Sequence, residues 1–130
     1  MRIKLLIAAV VSTTVLLTSG VARANWVNIT NSSDTQLFID DSNVERRGDT
    51  VFYWETQVFT VPQEASIKSL TSFQSANCVS RVNRMHRLIA YNSAGIVIGD
   101  KKLSEQESPP RDFIPGTHGE EIYKAVCSNW

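Results

Sequence analysis

Few residues in this chain are spaced to do chemistry, and the first of them argue against it. Asp40 and Asp41 are adjacent carboxylates. Glycoside hydrolysis needs two carboxyls held across a cleft, not side by side. A calcium loop needs more oxygen ligands at regular intervals. With Ser42 following, the pair reads as a turn in which Asp and Ser cap backbone N–H groups. His86 and His118 are the only histidines. A metal site would need further ligands brought to them, and neither sits in a ligand spacing. There is no glycine-rich phosphate loop and no recognisable nucleophile motif. These residues predict a protein that is not an enzyme, with no catalytic residue, metal or cofactor.

The most basic stretch holds Arg81, Arg84 and Arg87, and Lys68, Lys101 and Lys102 can extend it. Read as a strand, the stretch puts Arg81 and Arg87 on one face and Arg84 on the other. Two readings stand: solvated or acid-paired side chains, or a small patch of Arg81, Arg84, Arg87, Lys101 and Lys102 for an anionic ligand such as a sulfated glycan.

Cys78 and Cys127 are the two cysteines. The even count and an oxidising compartment predict that they pair. Closing so long a loop stabilises by about 4 kcal/mol in the chain-entropy model. That is a large share of the roughly 5–15 kcal/mol that holds a small domain folded. Their spacing is a poor zinc signature.

The compartment follows from the first 24 residues, which read as an export signal. Arg2 and Lys4 form a basic start, Leu5 to Leu17 is largely apolar, and Ala22-Arg23-Ala24 is an A-x-A cleavage site. Cleavage is expected before Asn25. The apolar run is shorter than the roughly 20 residues that span a bilayer, and no other stretch is long enough. Lipid attachment needs a Cys after the cut, where Asn25 stands. The expectation is a periplasmic or secreted protein, with neither membrane insertion nor a lipid anchor.

Cleavage leaves one domain, residues 25–130. It removes three basic residues and no acidic ones, so an even 13 against 13 becomes 10 against 13. A net charge of −3 argues against non-specific nucleic-acid binding, which draws on excess positive charge.

The elements that position these residues are mostly strands. Trp26 to Thr30 and Gln36 to Asp40 are short and β-rich. Thr50 to Val61 is the clearest. Phe52, Trp54 and Val58 share one of its faces, and Val51, Tyr53 and Phe59 the other. Apolar on both faces, it predicts a central strand. Ser66 to Ala76 and Ile96 to Lys101 are weaker strands, and Gly95 marks a hairpin turn. Cys78 to Tyr91 fits helix and strand equally by periodicity. Thr117 and Glu120 form a capping box for a helix running to Ser128. Its stripe of Ile122, Tyr123, Val126 and Cys127 must pack inward.

Four blocks together resemble the surface-adhesin protein E family of Gram-negative bacteria. They are Trp26; Phe38 to Val44 with Arg47-Gly48-Asp49 and Val51 to Trp54; Cys78, Arg81 and Arg84 with Tyr91 and Gly95; and Phe113 to Thr117 with Glu120 and Cys127. The resemblance implies a mainly β, α+β fold: a bent antiparallel sheet of about six strands, with a C-terminal helix on one face held by the disulfide. It resolves Cys78 to Tyr91 as a strand. It also implies adhesion, the binding of host matrix or plasma proteins. The namesake is a lipoprotein, and this chain departs from it in having no lipobox Cys.

Two functions follow from different classes. One is an exported binding module that takes a protein or anionic polymer through a sheet edge or face. Such an edge also permits homodimer pairing. The other is a soluble periplasmic accessory or inhibitor acting on a bacterial partner.

Overall fold

The computed structural model describes residues 24–130. The expected export signal lies outside them except for Ala24. The strands are β1 Trp26–Asn31, β2 Thr35–Asp40, β3 Glu45–Arg47, β4 Thr50–Phe59, β5 Ser69–Asn77, β6 Val82–Tyr91, β7 Val97–Lys102 and β8 Arg111–Asp112, followed by helix α1, His118–Asn129. They form one eight-stranded sheet. Its main path runs β1-β2-β4-β5-β6-β7, all antiparallel. Two short strands lie off that path, β3 beside the start of β4 and β8 beside the start of β6.

β4 is central, as its two apolar faces predict. It pairs with β5 along its length, and with β3 and β2 on its other edge. Val51 and Tyr53 are 0% exposed and belong to a core with Leu37, Ile39, Ala76, Ile122 and Val126. Phe52 and Trp54 alternate onto the opposite face and are only half-buried. Residues 82–91 pair with β5 on both sides of a single bulge at His86. That pairing takes up the backbone groups a helix would have used among themselves, so the segment is a strand.

α1 starts where the capping box predicts. Thr117 Oγ1 accepts from Glu120 N. The Glu120 carboxylate reaches Gly116 N at 3.0 Å, one residue before the N-cap. Gly116 has φ +82°, a backbone that any side chain would strain. Ile122, Tyr123 and Val126 are buried against the sheet. Three further ties hold the helix. Cys127 is bonded to Cys78, with Cα atoms 5.7 Å apart. The Tyr123 hydroxyl donates to Cys78 O at 2.8 Å. Arg46, from β3, donates to the carbonyls of Cys127 and Trp130, where a cation offsets the helix dipole.

Candidate functional site

The helix covers one face of the sheet. On the other, β4 presents Phe52, Trp54, Thr56 and Val58, opposite Ser75, Phe73, Thr71 and Ser69 of β5. The rings there form a continuous cluster. Phe52 stacks on Phe73 with centroids 6.1 Å apart. Trp54 and His86 lie 5.1 and 5.6 Å from Phe73. The Arg47 guanidinium sits 4.7 Å over Phe52, a cation–π contact at the cluster's edge.

Further along the same strands the surface deepens into an open cleft of about 430 Å³. Trp26 stands on one side, and Tyr91 with the Asn92–Gly95 turn lines the other; Thr56, Val58, Ser69 and Thr71 lie between them. The Thr56 and Thr71 hydroxyls bond each other at 2.9 Å. Asn92 Oδ1 is taken up by Ala94 N and Ile96 N.

His86 lies beside Ser75, with Nε2 and Oγ 2.8 Å apart, and the pair invites comparison with a nucleophile and its base. Its polarity is the wrong way round. Nδ1 is 2.7 Å from Arg84 Nη1, and a guanidinium can only donate. Nδ1 is therefore the acceptor, and the proton of the neutral ring sits on Nε2, pointing at Ser75. Burial, and then the Arg84 charge, lowers the His86 pKa and keeps the ring neutral. A serine that receives a hydrogen bond from imidazole is not being deprotonated by it. His118, at the first position of α1, takes no part in this cluster. Among the described residues, no three His, Cys, Asp or Glu side chains gather into a potential metal site.

The basic residues each have partners or settings of their own. Arg81 is in the turn before β6 with φ 63°, and its guanidinium lies over the Tyr123 ring. Arg84 lies in β6 and donates to the carbonyls of Leu103 and Ser108 as well as to His86. Arg87 makes a two-point ion pair with Asp100 across to β7, and Lys101 pairs with Glu107 at 2.9 Å. Lys102 is exposed and lies opposite Arg87. Simple alternation put Arg84 and Arg87 on opposite faces. A bulge inserts His86 between them, so Arg84 pairs with Ser75 and Arg87 with Phe73, on one face. Strict alternation would also keep Leu88 on one face with Val82 and His86, and the same shift turns Leu88 to the other. Arg84→Ala is expected to cost roughly 1–3 kcal/mol, because two part-buried carbonyls lose their donors. Denaturant melts measure that cost, and hydrogen exchange across 103–110 should quicken. Unchanged exchange there would mean that the loop holds itself.

The described residues thus form an open antiparallel sheet with one face that carries the helix and one ring-lined face, an architecture suited to binding. The chain belongs to the surface-adhesin protein E family, whose model matches residues 26–128. Among solved structures it is similar to crystal form II of Haemophilus influenzae protein E. The TM-score is 0.59 at 13% identity, covering 84% of this chain and 91% of that one. Comparison with curated proteins gives no match. None of the described helices is long and apolar enough to cross a membrane.

Proposed function

We propose that this chain is an exported, non-enzymatic, adhesin-like module that binds a protein ligand on the sheet face opposite the helix. The observation that carries the reading is the set of partly exposed rings there, Trp26, Phe52, Trp54, Phe73 and Tyr91, on the face away from the helix. Interface hot spots favour such aromatic side chains in shallow pockets, with charge kept to the rim. Arg47, Arg87 and Lys102 supply such a rim. The donor-facing polarity of Ser75 and His86 supports a role without catalysis. Family membership supports host matrix or plasma proteins as the ligand class. Export, with cleavage before Asn25, is part of the same proposal.

The test is binding of the mature protein to host matrix proteins, to plasma and to a periplasmic extract, with ring variants compared on whatever is retained. Trp26→Ala and Trp54→Ala are each expected to weaken binding about ten-fold or more. Ile98→Thr on the exposed outer strand β7 should leave it unchanged. If Ile98→Thr abolishes binding and the ring variants do not, the ligand adds to the sheet edge and the face is not the site. Retention only from the periplasmic extract would favour the accessory role over adhesion.

A further inference from the structure

The start of the domain is tied down at one point. Asn25 N donates to Asp40 Oδ1 at 2.9 Å. Asn25 Nδ2 donates to Asp41 Oδ1, and Asp41 N donates back to Asn25 O. Asp40 is only 3% exposed. Its other donors are Ser42 N, Ser42 Oγ and Asn43 Nδ2. Burial alone would raise its pKa, but the bonds from Asn25, Asn43 and Ser42 outweigh it and hold the group below the usual carboxylate range. Every one of those donors is neutral in the uncut chain. Among the described residues no Lys or Arg pairs with Asp40. A buried carboxylate held only by neutral donors is an anion short of a cation.

We propose that the Asp40 carboxylate is a binding site for the chain's own α-ammonium group, created when the Ala24–Asn25 bond is cut, and that this ion pair fixes Trp26 at the side of the ligand cleft. The proposal rests on cleavage before Asn25 and on the cleft being the binding site. A peptidase of the export pathway adds one water across the amide. The Ala24 carbonyl carbon takes the oxygen and becomes a carboxylate, and Asn25 N leaves as an amine that takes up a proton. One amide N–H facing Asp40 becomes a cation with three N–H donors, at an atom already within hydrogen-bond distance. Charge-assisted bonds are about twice as strong as neutral ones. Asp41, whose own N–H bonds Asn25 O, adds a second negative charge nearby. Trp26 is the next residue and lies opposite Asp40 in the register of β1 and β2. Whatever holds Asn25 therefore holds the ring that borders the cleft.

The experiment compares three forms made by export of the full chain or by chemical treatment of the product: a chain starting at Asn25, one retaining Ala24, and one starting at Asn25 with an acetylated α-amine. The free Asn25 form is expected to have a folding equilibrium constant about ten-fold or more above the other two. Asp40→Asn should erase most of the difference, the coupling expected of a direct pair. The Trp26 indole N–H signal, assigned with Trp26→Phe, should move on acetylation. Equal stability of the free and acetylated forms would overturn the ion pair even if Asp40→Asn fails to fold. A stability difference with an unmoved indole signal would overturn the link to Trp26. Intact mass of the exported protein reads the cleavage position separately, and ligand retention reads the cleft, so neither is confused with failure of the pair.

Discussion

Cys127→Ser is expected to lower stability by roughly 2–5 kcal/mol, the usual cost of losing a native bridge in a small secreted domain. The helix it anchors spans 12 residues, and isolated helices that short are marginal in water. α1 persists because Ile122, Tyr123 and Val126 are buried and because Cys78 holds its last turn to the end of β5. The sheet keeps its own backbone pairing without the bridge, so loss should be graded. Amide exchange from Glu120 to Cys127 should become fast, while Val51 to Val58 stays slow. Arg46 and the Tyr123 hydroxyl still tie the helix noncovalently, which places the effect within that range instead of at complete unfolding. A mutant with the wild-type urea midpoint would show that packing alone secures the helix.

Glu55→Gln is expected to stabilise the protein above pH 7 by on the order of 2–3 kcal/mol, with the gain disappearing near pH 4.5. Glu55 lies in β4 between Ile39 and Ser72. Its carboxylate takes one hydrogen bond, from Gln74 Nε2 at 3.1 Å. That Gln74 side chain also serves Ser72, Asn83 and the Tyr53 hydroxyl. The neighbouring ionisable group is Tyr53, itself pushed to a higher pKa by burial and then by the Glu55 charge. Burial raises Glu55 from 4.5 to about 7. As pH rises between those values, the unfolded chain gives up this proton while the folded chain still holds it. Stability therefore falls across that window and is flat beyond it. At about 1.4 kcal/mol per pH unit the gap sets an upper bound of roughly 3.5 kcal/mol, and the surface that Glu55 keeps exposed brings it down to the stated range. Asp40 acts with the opposite sign. Its lowered pKa adds stability that is lost only as pH falls below the ordinary carboxylate range, so the two effects separate. Urea midpoints of both chains at pH 4.5, 6 and 8 provide the test. Parallel pH profiles would mean that Glu55 is solvated in the native state.

Most of the framework could be read from residue order because it depends on local rules. Alternation in Thr50 to Phe59 sorts Val51 and Tyr53 from Phe52 and Trp54 whatever the partner strands are. Thr117, Glu120 and the stripe from Ile122 to Cys127 mark the helix and its inner face within one short segment. The candidate site was far less legible. A bulge belongs to two strands at once, so the side-by-side placement of Arg84 and Arg87 appears only when β6 is laid against β5. The acid partners of the basic residues are no easier to foresee: Asp100 reaches Arg87 only across strands, and Glu107 reaches Lys101 only through the loop after β7. Asp40 and Asp41 announced a turn, as found at Ser42, but nothing local marks Asp40 as buried beneath Asn25. Glu55 looks like any polar residue in a half-buried strand, because its lack of a cation among the described residues is a property of the neighbours that folding brings.

Under tension the disulfide acts as a bypass. A load applied at the two ends of the domain passes from the end of β5 to Cys127 through one covalent bond. The 49 residue steps between the cysteines hold β6, β7, β8 and most of α1. Those elements can be peeled away sideways but never drawn out in line. At about 3.5 Å per residue, roughly 170 Å of chain is withheld from extension. Only β1 to β5 can yield length. The ring-lined face straddles that divide: Phe52, Trp54 and Phe73 sit on strands that can give, while His86 and Tyr91 sit on strands that cannot.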